Sequence, residues 1–428
     1  MLPNQAVMQA VEKLNFRVTV ADVASQTGLA LAVANREVAN LASLTGGNIQ
    51  VAESGEIAYK FAPNFRAILL QRSLSARWQS FWQKVWEVLF YLIRISFGIV
   101  LVISILIVVL GIIAAIIVIN SSSDSDRRND SNNRSGGGGM FIWLGDPFSI
   151  FYPSYGYRNY DDYRGARRQP EKAEGDRGFL ENVFSFLFGD GNPNADLEQR
   201  RYVAIANVIR NSDGVVIGEQ ILPYLDPVPP ADSEDYMLPV LAKFNGYPEV
   251  SDTGTLAYRF PDLQKVAVQQ EKRNVPPYLA ENLWQFSKAG ASATTLSIGL
   301  GIFYLVASLF LGSLLNNPAV QLRLTGFLGL VNAGFGFLLG YAILFLTIPT
   351  VRYFLIQLWN VPIQERNRWR RAQANQLKEK IDPIPAKLQF AQKLAIAPEE
   401  IKESQLIYTT EEDLLTQELR NLLAEEVY

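Results

Sequence analysis

The stretch DGNPNAD, residues 190–196, sets oxygen-bearing side chains two residues apart: Asp190, Asn192, Asn194 and Asp196. Oxygens at that spacing open a calcium loop, whose twelfth position closes the shell with a bidentate acid. Here the twelfth position is Arg201, and Pro193 interrupts the run. The stretch therefore reads as a turn that caps the helix after it. The chain of 428 residues contains neither cysteine nor histidine. That removes disulfides, thiolate and imidazole metal ligation, Cys or Ser–His nucleophilic catalysis and cysteine-held clusters. No P-loop or dinucleotide fingerprint occurs. The sequence predicts no enzyme, no metal and no cofactor.

The residues suited to recognition are aromatic. Nine fall between Phe141 and Tyr163. Trp143, Phe148, Phe151, Tyr152 and Tyr155 are the candidate docking groups, because exposed aromatic clusters act as interaction hot spots. Packing of this segment within the molecule is the plainer alternative. Trp78, Trp82 and Trp86 recur every four residues and share one helix face, with Arg77 and Lys84 nearby. They read as anchors at a membrane interface, or else as a core stripe. Trp284 and Trp359 flank apolar segments as an aromatic belt does.

The elements that carry these groups include a duplication. VAESGEIAYKF starts at Val51 and VSDTGTLAYRF at Val250, 199 residues later. Gly55, Tyr59 and Phe61 match Gly254, Tyr258 and Phe260. Alternating apolar residues around a glycine-centred turn predict a β-hairpin in each copy. Upstream of each hairpin the pattern runs helix, short strand, helix, helix. This predicts two winged-helix-like modules, at 1–65 and 196–265. Such modules suggest DNA, but residues 1–65 hold four basic against five acidic side chains, and residues 196–262 hold five against eleven. Phosphate binding needs a basic face. No nucleic acid is expected, and protein contact is the better reading.

Three segments are apolar enough to cross a bilayer: 97–119, 291–315 and 326–351, none with an ionisable residue. The last two should form a helical hairpin: Gly299, Gly301 and Gly312 in one and Gly326, Gly329, Gly334, Gly336 and Gly340 in the other allow close packing, with Gly336 and Gly340 at the small-xxx-small spacing. An amphipathic interfacial helix is expected at 66–96. The fold class is therefore an α+β membrane protein, with two winged-helix-like modules and about three transmembrane helices. Basic residues flank the first and last segments on their outer sides, which places both ends in the cytoplasm or stroma. Three crossings place them on opposite sides. Either 97–119 is re-entrant, broken near Gly98 or Gly111, or the second module lies across the membrane. Both modules on one side is the preferred reading. Membrane lipids and membrane proteins are the expected partners.

Residues 120–139 form a polar tether, and 140–195 the aromatic-rich segment. The region 359–428 is charged and reads as helical, with a capping box at Thr409 and Glu412. FSFLFGDGNPNADLEQRRYVAIANVIR, YMLPVLAKFNGYPEVSDTGTLAYRFPDLQ, WQFSKA and YTTEEDLL resemble an uncharacterised membrane protein family of cyanobacteria and plant chloroplasts. Some plant members are labelled as an iron–sulfur cluster biosynthesis family protein, a label that a chain without cysteine or histidine does not support. The resemblance implies a cyanobacterial thylakoid or plasma membrane, or a chloroplast membrane in plants, and no reaction. The function expected is that of a membrane scaffold or assembly factor. The alternatives are a membrane-tethered transcriptional regulator and a small-solute channel or transporter.

Overall fold

The computed structural model describes residues 3–123 apart from 73, then 178–227, 234–268, 272–395, 397–402, 405–411 and 416. Trp143, Phe148, Phe151, Tyr152 and Tyr155 lie outside the described residues, as does most of the 120–139 tether.

The chain opens with helix α1 (Gln5–Lys13), strand β1 (Arg17–Thr19), helices α2 (Val20–Thr27) and α3 (Leu31–Thr45), and the hairpin β2 (Asn48–Ala52) and β3 (Ile57–Lys60). Helices α4 (Phe65–Arg72), α5 (Leu74–Ser123) and α6 (Phe179–Phe188) follow. The order then recurs as α7 (Leu197–Asn211), β4 (Val215–Val216), α8 (Gly218–Ile221), α9 (Leu238–Phe244), β5 (Tyr247–Val250), β6 (Leu256–Arg259) and β7 (Lys265–Val266). The chain ends with α10 (Ala291–Leu315), α11 (Pro318–Gln321), α12 (Gly326–Glu379), α13 (Ile384–Lys393), β8 (Glu399–Glu400) and β9 (Leu406–Thr409). The fold is thus mixed and dominated by helix, with small antiparallel sheets.

Local chemistry explains the first repeat. Thr19 and Asp22 cap α2 reciprocally, each side chain bonding the other's backbone N–H at 3.1 Å. Gly28, at φ +71°, ends that helix in the left-handed region. Each hairpin turns at a glycine with positive φ, Gly55 at +80° and Gly254 at +79°. The sheets have matching orders, β1-β3-β2 and β4-β6-β5. In the first, β9 adds to the outer side of β2.

The chain forms two compact units. The first comprises Met1–Lys84, Pro193–Leu283 and Asn360–Tyr428. Both repeats belong to it and share a core. Ala21 of α2 enters the cluster of Ile205, Ile209, Phe244, Tyr258 and Phe260. Beside it, buried Asp22 accepts bonds from Arg210 (3.2 Å) and from the Ala267 backbone N–H (2.9 Å). Helix α13 covers the second sheet through Ile384 and Ala391, which pack on Val215, Ile217 and Ala257.

The second unit comprises Val85–Asn192 and Trp284–Trp359. Among the described residues three helices are long and apolar enough to cross a membrane: Lys84–Ser121 within α5, then α10 and α12. Their shared core contains Leu101, Val108, Tyr304, Leu311, Leu338 and Phe345. Helix α6 is too short to cross and packs Phe184 and Phe188 on Phe97 of α5, with ring centroids at 5.8 and 4.9 Å.

Four expectations need correction. The region 66–96 and the segment 97–119 are not separate: α5 runs unbroken through Gly98 and Gly111. A glycine in a long apolar helix costs about 1 kcal/mol, too little to break it. Gly98 instead admits Leu180, whose Cα would lie 2.8 Å from a Cβ there. Gly336 and Gly340 meet nothing within 4 Å, so they are not the helix contact. That contact uses Gly301 of α10, against Phe345 and Leu346 at 2.8 Å. The segment 326–351 continues without interruption as α12 to Glu379. Finally, the region 359–428 is not helical throughout its described residues. Leu406–Thr409 is a strand, because β2 offers an open edge that the local pattern does not reveal. Thr409, the last residue of that strand, accepts the Glu411 backbone N–H at 3.2 Å, and Glu412 lies outside the described residues.

Candidate docking cleft

Most residues singled out from the hairpin phrase build cores. Tyr59 and Phe61 are buried in the first repeat, Tyr258 and Phe260 in the second. Burial pushes the Tyr59 hydroxyl above its usual pKa. For Tyr258, burial and then the neighbouring charge of Glu234 push in the same direction, and its hydroxyl donates to Glu234 at 2.9 Å. Gly55 and Gly254 meet nothing within 4 Å at the tips.

Gly55 does line a cleft of about 450 Å³ inside the first unit. One wall is Leu31, Ala32 and Asn35 from the start of α3, with Glu56 and Ile57 of the first hairpin. The other is Ala242, Lys243 and Asn245 around the end of α9, with Asp262 and Lys265. The duplication thus brings the third helix of each repeat to one cavity. Lys265 joins the walls by pairing with Glu56 and, at 3.1 Å, with Asp262. Burial lowers the Lys265 pKa, but the bonds to Glu56 and Asp262 outweigh it and the net shift is upward. Asn245 donates to Asp262 at 2.7 Å. Lys243 stands 3.3 Å over the Tyr202 ring, and desolvation lowers its pKa. The cleft therefore offers an apolar floor, an amide on each wall, two carboxylates and two ammonium groups. Such a surface suits a polypeptide segment and is a poor cradle for phosphate.

Other titratable groups are committed to holding the fold. Lys387 of α13 bonds Glu219 at 2.6 Å and Glu234 at 2.9 Å. Arg370 of α12 is fully buried. It bonds Glu281 at 2.7 Å, Asp226 at 2.8 Å and the Leu225 carbonyl at 2.8 Å. Arg366 grips the same Glu281 with two bonds of 2.7 and 2.6 Å. Burial alone raises the Glu281 pKa, yet the bonds from Arg366 and Arg370 hold it below the usual carboxylate range. Among the described residues no group of acids is arranged to hold a metal ion.

The DGNPNAD residues are likewise structural. Asp190 accepts from Arg94 (3.0 Å), Ser185 (2.6 Å) and the Lys288 backbone N–H (2.8 Å). Asp196 precedes α7 but does not cap it, and takes Arg200 at 3.0 Å instead. The tryptophans divide. Trp78, Trp82 and Trp86 are all more than half exposed along α5, so they are not a core stripe. Trp284 and Trp359 touch, with ring centroids 5.4 Å apart.

Sequence reasoning missed the Asp22–Arg210 and Glu281–Arg370 pairs. The Thr-x-x-Asp spacing at Thr19 is a cap signal that could have been read, but nothing in it tells that its acid also serves the other repeat. Arg370 sits in a run of arginines with nothing to set it apart.

No family model and no solved structure matches the chain. A chloroplastic protein of Arabidopsis thaliana, described as uncharacterised, is 35% identical over 431 aligned positions, which cover 96% of this chain and 79% of the plant protein. At that identity and coverage the alignment takes in both repeats, the three apolar helices and the C-terminal region, and the chain belongs to the family of that chloroplastic protein.

Proposed function

We propose that this protein is a non-enzymatic integral membrane scaffold, an assembly or biogenesis factor for complexes of a chloroplast or cyanobacterial membrane. In this reading α5, α10 and α12 are the membrane-embedded helices, and the two repeats are winged-helix-like modules that dock proteins. The chloroplastic relative supports the compartment. The apolar side chains that α10 and α12 leave exposed, among them Val306 and Leu330, support a lipid-facing surface. Both repeats share one core, which supports the reading that keeps them on one side of the membrane.

One observation carries the docking role: the third helices of the two repeats frame a single cleft. In a DNA-reading module that helix would need to face a duplex freely. Here Glu56 and Asp262 stand beside the two third helices and repel phosphate. This favours a protein segment as the occupant.

The test is affinity purification of the full chain from membranes in mild detergent, beside an Asn35→Arg/Lys243→Glu variant that fills the cleft and reverses the charge on its α9 wall. The reading expects a discrete partner with the native chain and its loss with the variant. No partner above background, or the same partner retained by the variant, would count against it.

A further inference from the structure

Strand β2 has two edges. Its inner edge pairs with β3 from Asn48↔Lys60 to Val51↔Ile57. Its outer edge carries β9, in the register Gln50↔Thr409 and Val51↔Tyr408. The attachment is made largely by main chain. Glu53 donates its backbone N–H to the Gln405 carbonyl at 2.9 Å, and Thr410 donates to the Ile49 carbonyl at 3.1 Å. Three side-chain seats supplement the ladder. Leu406 packs with Ala52, Ala58 and Ile401. Thr410 Oγ1 accepts the Ile49 N–H at 2.9 Å. Glu411 pairs with Lys60 at 2.8 Å. Ile407 and Tyr408 stay 52% and 40% exposed, so the core that departure of the strand opens is the small cluster around Leu406.

The second repeat has the same edge in a different state. Ser251 donates to Thr255 as Ala52 does to Glu56, so the hairpins are in matching register. Pro248 then stands where Ile49 stands, paired with Tyr258 as Ile49 is with Tyr59. Ile49 turns its N–H outward to the added strand, whereas proline has none to offer. Among the described residues no strand pairs with the outer edge of β5.

We propose that the outer edge of β2 is a strand-exchange site between two copies of this chain, each edge taking residues 405–411 of the other copy. The occupant is argued from the contacts themselves. A second copy brings the backbone, the leucine, the threonine and the glutamate that this edge is seen to bind. The same bonds form within one chain or between two, so exchange replaces each contact in kind. Pro248 restricts the device to one edge per copy, and one edge with one strand closes as a reciprocal pair.

The chain lacks cysteine, so a disulfide can report the exchange without background. Full-length Val51→Cys and Tyr408→Cys chains, carrying different tags, are co-expressed in membranes and oxidised. Exchange predicts a mixed dimer several-fold above that of Val51→Cys with Ile407→Cys, whose side chain leaves the opposite face of the strand. It also predicts that Ile49→Pro, the residue the second repeat already accommodates, returns the yield to the control level. A Tyr408→Cys yield equal to the Ile407→Cys yield, while a single chain bearing both Val51→Cys and Tyr408→Cys closes its internal disulfide, would overturn the proposal. So would failure of that internal disulfide, or a dimer that survives Ile49→Pro.

Discussion

The two repeats compare residue for residue across their hairpins. Both turn at a glycine and bury a tyrosine and a phenylalanine two residues apart, and they part company at the periphery. The first repeat is completed at its sheet edge by β9. The second blocks that edge with Pro248 and is completed on its other side by α13 and on its flank by α12, through Arg370. The comparison teaches that the copied phrase encodes the inside of a hairpin. What each hairpin joins is set by single residues at its rim, where a missing N–H or an added charge changes the partner.

Removing the charged fastener of the second repeat should have the largest effect. Arg370→Ala leaves Glu281 with half its compensation and two carbonyls without a donor, and should cost about 3–5 kcal/mol. Chemical denaturation of the first unit's signal in the full chain would check this. A loss below about 1 kcal/mol would mean that the second repeat stands without α12.

Asp22→Ala tests the join between repeats. It abandons Arg210 and the Ala267 N–H in a buried place, and should cost about 3 kcal/mol. Limited proteolysis should then cut between the repeats sooner than in the native chain.

Acid sharpens the same contrast. Glu281 titrates below its unfolded value, so its contribution is complete above about pH 4.3 and is lost as pH falls through the lower folded value. Glu281→Gln should flatten the acid limb of the melting-temperature profile, and an unchanged limb would assign acid sensitivity elsewhere.

Gly47 and Gly246 occupy matching places against Phe61 and Phe260. A Cβ at Gly47 would stand 2.9 Å from the Phe61 ring, and one at Gly246 would press closer still into Phe260. Alanine should cost about 1 kcal/mol at Gly47 and about 2 kcal/mol at Gly246, read by differential scanning. Equal losses would show that the two cores yield alike.

The smallest effect belongs to Lys60→Ala. Its pair with Glu411 is exposed on both sides, and its loss should cost below about 1 kcal/mol in a melt. A larger loss would mean that Glu411 holds β9 more firmly than the backbone ladder does.

Much of the local structure was legible because it rests on neighbours in the chain. The hairpin glycines and the three apolar helices each depend on residues within a turn or two, or on uniform hydropathy over ~20 positions. The cleft was not legible. Its walls come from α3 and α9, about 200 residues apart, and no spacing rule relates the two. The C-terminal strand was missed for a related reason: nothing in the local pattern of Leu406–Thr409 reveals the open edge of β2 that pairs it.

By itself, then, the sequence determined the duplicated hairpins, the apolar helices and the absence of cysteine and histidine chemistry, all properties of residue type and near spacing. Only the tertiary structure decided that the repeats fuse over Asp22, that Gly301 rather than Gly336 brings helices together, and that residues 406–409 complete the first sheet. Those outcomes depend on which surfaces meet. Burial, unlike propensity, is settled by groups that are distant along the chain.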